Sequence, residues 1–499
     1  MTVGEQNAFD VIVVGAGNAG LLAAIAAREA GCQVLLIEAS PRAERGGNSR
    51  FASGVFRVAH GGGADIRSLV PDDAPCPWDR IVISPYPVDR FLGDVIGSSR
   101  GFADPGLVAD VAAQSLETVH WMKDHGVRWA LSMSKLPDSL QQGEVVRLSP
   151  GGELIAEGNG LTLVETLFQR AGELGVTVAY GSPVVDLVTG GRTVEGVLVR
   201  TDEADKVVQA PVTILACGGF EASAEARVRY LGQGWDLVKV RGSRYNTGTL
   251  LDKAIGHGAG SAGQWSVAHT VPVDAAAPAV GDLAIGDSTA RYSYPYGITV
   301  NVDGERFLDE GEDEITFAYG EIGRKVLSQP GAAAYQIFDK TGCGLLEPRY
   351  DTAELIEAGT IEELAIATGI APDKLAATVR DFNAACPEGR FDPSVKDGLC
   401  ARPDGQPRKS NWAVPLMAPP YRAYRVTCGI TFTFGGLAVD ADTRVLGADG
   451  RPIPGLLAVG EIAGGFFAYN VPSGTGLTRN AVCGRIAGRT GARIIRAGA

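Results

Sequence analysis

The sequence predicts an α/β fold: a doubly wound, mostly parallel sheet built from both ends of the chain, interrupted by an inserted α+β domain. Three observations carry this. The β-branched run 9–14 leads straight into a glycine-rich turn, GAGNAG (15–20), and an alanine-rich helical stretch. A strand, a glycine turn and a long helix recur near the C-terminus, over 456–496. Between them, over 265–430, proline-rich and aromatic segments replace that pattern. A chain of 499 residues has room for several domains. The division read here is 1–264 and 431–499 for the split domain and 265–430 for the insertion.

The elements follow in order. Phe9-Asp10-Val11-Ile12-Val13-Val14 suits a strand buried on both faces. Ala19–Ala30 reads as a helix with Gly31 as its stop, and Gln33–Ile37 as a second strand ending at Glu38. Val176–Leu215 contains VTVAY, VVDLV, VEGVLVR and VTILA with the turn TGGRT, and closes on Cys217-Gly218-Gly219-Phe220. Residues 246–260 read as a helix ending in glycines. In the insertion, Thr360-Ile361-Glu362-Glu363 has capping-box spacing and Pro372 suits a first helical turn. Leu456–Val459 is a short buried strand, Gly460-Glu461 follows it, and Gly476–Arg496 reads as a long helix.

Composition excludes several classes. Hydrophobic residues are 45% and charged residues 21%, so the chain is not disordered. The net charge of −13 and the lack of a basic run argue against nucleic acid. No run of eighteen apolar residues is present, so no transmembrane segment is expected. The start MTVGEQNAFD lacks a basic, apolar leader, and the eight cysteines form no CxxC pair or metal spacing. A cytoplasmic protein with reduced thiols and no metal is expected. The 67 glycines form no repeat, so they serve turns and close backbone approaches.

The turn GAGNAG (Gly15, Ala16, Gly17, Asn18, Ala19, Gly20) lies between a strand and a helix, with an acid, Glu38, about 20 residues on. This is the Rossmann-like dinucleotide pattern. Gly15 makes the turn, Gly17 admits a pyrophosphate, Gly20 lets the helix pack on the sheet, and Glu38 accepts from a ribose. Beyond Ala39 comes a second loop, Arg45-Gly46-Gly47-Asn48-Ser49. Glu461 suits a carboxylate on a ribityl chain, and Gly474-Thr475-Gly476-Leu477 opens a helix whose N-terminus suits a flavin edge. Val185, Ala216, Gly218, Gly219, Asn246 and Gly460 are expected along the same cofactor. Three such loops and no second GxGxxG favour FAD over a nicotinamide nucleotide.

On these residues the chain resembles a flavoprotein family. Glu38, GGNS (46–49), LACGGF (215–220), RFLDE (306–310), TFGGLAVD (433–440) and GLLAVGE (455–461) are similar to the fumarate reductase, succinate dehydrogenase and 3-ketosteroid dehydrogenase flavoproteins. Within them the likeness is greatest to FAD-dependent tricarballylate dehydrogenase. It rests on RGGNSR (45–50), YNTG (245–248), GDLAIGD (281–287), YPYGITVN (294–301), GERFLDEG (304–311), CGITFTFGGL (428–437) and PSGTGLT (472–478). The resemblance implies a Rossmann-like FAD-binding domain of the GR2 type with an inserted cap. It implies a reaction across a C–C bond beside a carboxylate or carbonyl, with hydride moving to or from flavin N5. No histidine stands in GGNSRFAS (46–53), where succinate dehydrogenases link their flavin, so a noncovalent cofactor is expected.

The expected catalytic set is His269, Arg50, Arg57, Tyr296, Tyr469 and Ser473. His269 resembles the substrate-binding histidine near the start of the cap, and Arg50 and Arg57 suit a carboxylate clamp. Tyr292, Tyr294 and Tyr296 alternate before a strand, and His60 is a weaker candidate. The departures bear on substrate. Ile315 stands where the related enzymes carry a cap arginine, Phe432 where fumarate reductases carry histidine, and Val471 where the tricarballylate and steroid enzymes carry tyrosine. The reading is an FAD-dependent dehydrogenase or desaturase of a small, less charged organic acid or ketone. Electrons then leave to a separate acceptor: a quinone, an electron-transfer protein or dioxygen. The alternatives are a fumarate-type enoate reductase and a catalytically lapsed flavin-binding, electron-relay subunit.

Overall fold

In the computed structural model, which describes residues 9–74, 76–142 and 144–498, the two chain ends share one sheet. Its strand order is Arg444–Leu446, Pro452–Ala458, Val212–Leu215, Val11–Val14, Val34–Ile37, Thr177–Ala179. All neighbours are parallel except the edge pair Arg444–Leu446 and Pro452–Ala458. Val11–Val14 sits in the middle, and every one of its residues is buried, as a strand covered on both faces requires.

The glycine turn after it is sterically dictated. Gly15 has φ +98°, and a Cβ there would lie 2.5 Å from the Ala216 carbonyl oxygen. A Cβ on Gly20 would lie 1.9 Å from the Gly15 oxygen, so only glycine lets the helix Asn18–Glu29 seat on the sheet. The C-terminal helix Thr475–Gly498 packs against this first helix through its own glycines. Cβ atoms at Gly484 and Gly488 would come within 2.5 and 2.4 Å of the Ala19 and Ala23 carbonyl oxygens. This seam joins the two ends of the chain.

The second sheet is organised around one long strand, Tyr421–Thr433. It pairs antiparallel with Ala268–Asp274, Ala333–Phe338 and Ile356–Ala358, and parallel with Lys239–Val240. Ile298–Asn301 extends it at the edge. The helices Ile361–Thr368 and Pro372–Ala385 cover it, burying Leu364, Leu375, Val379 and Phe382. The capping box at Thr360 and Glu363 forms, and Pro372 occupies the first turn. Position 430, the expected end of the insertion, falls inside the long strand, and Lys239–Val240 joins this sheet from the other side. A backbone that passes without a turn from one unit to the other leaves no boundary in the composition.

Three elements differ from expectation. The helix expected over 246–260 is Thr249–Gly256, because Gly248, at φ +77°, holds the preceding residues in a turn. The last strand starts earlier, at Pro452, and the last helix runs to Gly498. RFLDE (306–310) serves the insertion itself. Arg306 and Glu310 form a fully buried ion pair, and a Glu310 oxygen also accepts the Thr299 N–H at 2.8 Å. Breaking such a pair costs about 3–5 kcal/mol.

Candidate functional site

The glycine turn opens on a cavity of about 640 Å³. Gly15, Ala16, Gly17, Asn18 and Ala19 line it, with Glu38 and Ala39 from the second strand and Gly47, Asn48 and Ser49 from the second loop. The N–H groups of the helix's first turn face this space, an arrangement that attracts phosphate. A Cβ on Gly17 would meet nothing nearer than the Ser49 hydroxyl at 3.4 Å, so the backbone is open to an approaching group. The Glu38 carboxylate is held by the N–H groups of Ala16 and Ser40, both at 2.9 Å, and Ser49 Oγ accepts from the Asn18 N–H at 2.9 Å. Each acceptor oxygen keeps a further lone pair. Val185, Ala216, Gly218, Asn246 and Gly460 complete the wall.

A second cavity of about 490 Å³ shares Asn48, Ser49, Glu461 and Asn480 with the first, so the two adjoin. The split domain contributes Arg57, Ser473, Gly474, Gly476 and Leu477, and the insertion contributes His269, Tyr292, Tyr296, Ile315 and Tyr319. His269 begins the strand Ala268–Asp274. Its ring stacks on Phe432 at 4.7 Å and meets Tyr319 edge-on at 5.0 Å. Both ring nitrogens are buried without a partner. Burial, and secondarily the Arg241 charge, push its pKa down to about 3, so the imidazole is neutral.

The charged groups are largely self-compensated. Arg241 pairs with Asp287, Asp287 reaches Arg349 at 3.4 Å, and Arg349 meets Glu347 at 2.8 Å. Two arginines thus face two carboxylates. Arg57 differs. Its Nε donates to the Ser473 carbonyl at 2.9 Å and its Nη1 to the Pro150 carbonyl at 2.5 Å, while its buried Nη2 has no partner. The guanidinium lies 4.9 Å from the Phe317 ring centre. Glu314 also lines the chamber, its carboxyl pushed up by burial and by Asp313. The mouth is apolar, with Val82 49%, Val145 47% and Val395 38% exposed beside Leu136 and Leu140.

A group spanning both cavities must carry a phosphate-rich end and a flat apolar end. The family described as FAD binding domain matches residues 10–79 and 83–477. The chain belongs to this FAD-binding family. FAD is therefore the flavoprotein's cofactor, and the glycine cradle, Glu38 and the adjoining cavities fit it. The protein is 29% identical over 506 residues to the probable fumarate reductase Ifc3 of Shewanella frigidimarina, covering 99% of this chain and 76% of the relative. It is 29% identical over 378 residues to the 4-oxocyclohex-2-ene-1-carboxylate 5-dehydrogenase of Sinomonas cyclohexanicum, covering 69% and 61%. Among solved structures, the open conformation of a flavocytochrome c3 fumarate reductase matches at TM-score 0.71 and 27% identity, covering 99% of this chain and 79% of that one.

Most of the residues expected along FAD line one of the flavoprotein's two cavities. Five do not. Gly20 and Gly46 serve close packing, Gly46 against Val164. Gly219 gives room to Glu461 and Thr433, and Thr475 bonds the Pro472 carbonyl at 2.8 Å. Arg45 pairs with Glu165 and lies over Phe168. Of the expected catalytic set, His269, Arg57, Tyr296 and Ser473 meet in the second cavity.

Arg50 and Tyr469 line neither of these two cavities. Arg50 donates to the carbonyls of Ala43 and Arg45, because the turn after Gly47 directs it back over its own loop. Tyr469, at φ +58°, turns toward Arg100, whose guanidinium lies 4.3 Å from its ring. His60 is also engaged elsewhere, facing Glu153 at 3.2 Å. Tyr294 is buried away from the chamber, while Tyr292 lines it. Ile315, Phe432 and Val471, the positions the sequence reading set apart, all line the chamber. Arg241, Asp287, Arg349, Tyr319 and Glu314 had not been singled out. YNTG and GDLAIGD lie beside or contain two of them, but no local spacing links positions 241, 287 and 349.

Proposed function

We propose that the protein is an FAD-dependent dehydrogenase that removes two hydrogens across a C–C bond next to the carboxylate or carbonyl of a small organic acid or ketone. The observation that carries this is the charge balance of the chamber. Among the described residues Arg57 is buried with an unpartnered Nη2 and no carboxylate within ion-pair distance, while Arg241 and Arg349 are already matched by Asp287 and Glu347. A buried guanidinium without a carboxylate of its own suits one carboxylate or one polarised carbonyl. The apolar side chains at Ile315 and Val471 argue the same way against a tricarboxylate, and Phe432 argues against fumarate. The names of the relatives, a fumarate reductase and an oxocyclohexene carboxylate dehydrogenase, support the reaction class.

FAD, when bound, supplies the hydride acceptor. The protein's own residues anchor, orient and deprotonate. Arg57 holds the carboxylate or carbonyl and so acidifies the neighbouring carbon. His269, neutral in its aromatic slot, offers one donor and one acceptor without adding charge. Ser473 holds the Tyr319 hydroxyl. The proton needs a base. Burial raises Tyr292, Tyr296 and Tyr319 still further above neutrality, and His269 is too weak a base. Glu314, a carboxyl raised from its ordinary value, is the best matched group in the chamber. Replacing it, Glu314→Gln, is expected to slow flavin reduction by about a hundredfold or more while substrate still binds. An unchanged reduction rate removes Glu314 from the role.

Electrons pass to a separate quinone, electron-transfer protein or dioxygen. No described helix is long and apolar enough to cross a membrane. All eight cysteines are free. The cofactor is noncovalent, and denaturation should release all of it. Direction is tested anaerobically. Bleaching of the flavin by a saturated acid or ketone marks a dehydrogenase. Reoxidation of dithionite-reduced protein by an enoate, without such bleaching, marks a reductase. No response to either marks a lapsed electron-relay subunit.

A further inference from the structure

Where the two cavities adjoin, four loops and the end of the strand Tyr421–Thr433 are tied by one buried polar knot. Asn48 Nδ2 donates to Glu221 Oε1 at 2.6 Å and to the Thr431 carbonyl at 2.8 Å, and Asn48 Oδ1 accepts the Ser243 N–H at 2.7 Å. Asn246 Nδ2 donates to the same Glu221 oxygen at 2.5 Å. Glu461 Oε1 accepts the Thr433 N–H at 2.7 Å and its hydroxyl at 3.0 Å. Asn48, Asn246 and Glu461 all line the cofactor space. Glu221, fully buried, does not, and no role was expected of it.

The unusual feature is the meeting of two carboxyls. The Glu221 and Glu461 carboxyls lie close enough to act on each other's protonation. Yet Glu221 Oε2 is buried with no donor of its own. Two buried carboxylates this close repel, and each also loses its hydration. A single proton between them resolves both problems: Glu221 becomes a donor and Glu461 an acceptor. The surroundings decide which keeps the charge: the Asn48 and Asn246 amides both donate to Glu221 Oε1, so Oε2 is the oxygen left to carry the proton. Glu461 is further held by the Gly219 N–H and is attracted by Arg479 on the C-terminal helix. Glu221 has Arg227 near, but that guanidinium is bound to the Glu221 and Trp235 carbonyls. The negative charges of Glu38 and Glu461 both act on the intervening Cys217, which burial keeps protonated.

We infer that Glu221 is a cofactor-positioning residue that carries a proton at neutral pH and donates it to Glu461, closing the knot that holds the FAD loops together. Losing that proton would set two like charges face to face at the junction of the two cavities, and the loops would part. Cofactor binding is thus coupled to one bound proton. The proton favours the closed site, so affinity is full at lower pH and falls as pH rises through the value of the pair. The inference rests on the FAD reading and goes beyond it.

The test is the FAD dissociation constant, measured by ultrafiltration and flavin fluorescence from about pH 6 to about pH 9, where a single linked proton gives up to tenfold weakening per unit. Wild type should weaken along that slope. Glu221→Gln, whose amide donates permanently, should bind FAD with little pH dependence. Glu221→Ala should bind weakly throughout, at unchanged secondary structure. A flat wild-type profile, or a Glu221→Gln profile as steep as wild type, overturns the shared proton. Failure of wild type to bind FAD at the lowest pH overturns the cofactor reading itself.

Discussion

Arg57 meets three protein oxygens with a guanidinium that still has one unused N–H pair, and the substrate reading depends on that remainder. Arg57→Lys keeps the charge but loses the fork. A charge-assisted hydrogen bond is worth about 1.5–3 kcal/mol, so substrate affinity, followed by flavin bleaching, should fall about 10- to 100-fold. Equal affinity for both proteins would mean that the anchor lies elsewhere. His269 makes a pH prediction. Its pKa falls from 6.5 unfolded to about 3 in the folded slot, so its burial contributes stability fully above pH 6.5 and loses it as pH falls toward 3. Thermal unfolding of His269→Phe should therefore depend less on pH in that window. Arg57 and His269 were legible in the sequence because each lies near a recognisable loop. Arg241 and Arg349 were not, because their pairing through Asp287 exists only once strands distant in sequence are placed together.

At the scale of elements, the turn between the first strand and first helix admits little change. A Cβ on Gly20 meets the Gly15 carbonyl oxygen at 1.9 Å and the Ala216 methyl at 3.2 Å. Gly20→Ala should destabilise by about 1–3 kcal/mol, read as a lower Tm, and should weaken FAD binding with it. A variant with native Tm and native FAD content would show that the helix can shift without cost. This βαβ unit was readable to within two residues, since burial on both faces and the glycine spacing act locally. The end of the insertion was not readable. Tyr421–Thr433 crosses position 430 as one uninterrupted strand whose partners lie on both sides of it in the sequence. Arg50 shows the same limit at shorter range. Its place after GGNS was evident, but its direction follows from φ values of +108° and +54° at Gly46 and Gly47.

On the scale of the whole molecule, two sheets meet around adjoining cavities, with a glycine cradle that fits a dinucleotide on one side and a largely apolar, nearly charge-balanced chamber on the other. The first is dictated by backbone, and glycine spacing revealed it. The second is dictated by side chains from the split domain and the insertion, and His269, Arg57, Tyr296, Ser473, Ile315, Phe432 and Val471 were the sequence's hints of it. The measurement that tests the account most directly is anaerobic mixing of the FAD-loaded protein with matched saturated mono-, di- and tricarboxylates and with cyclic ketones, following the flavin absorbance. The account predicts that monocarboxylates or ketones bleach the flavin and that tricarballylate does not. Bleaching by the tricarboxylate alone, or by none of them, would contradict it.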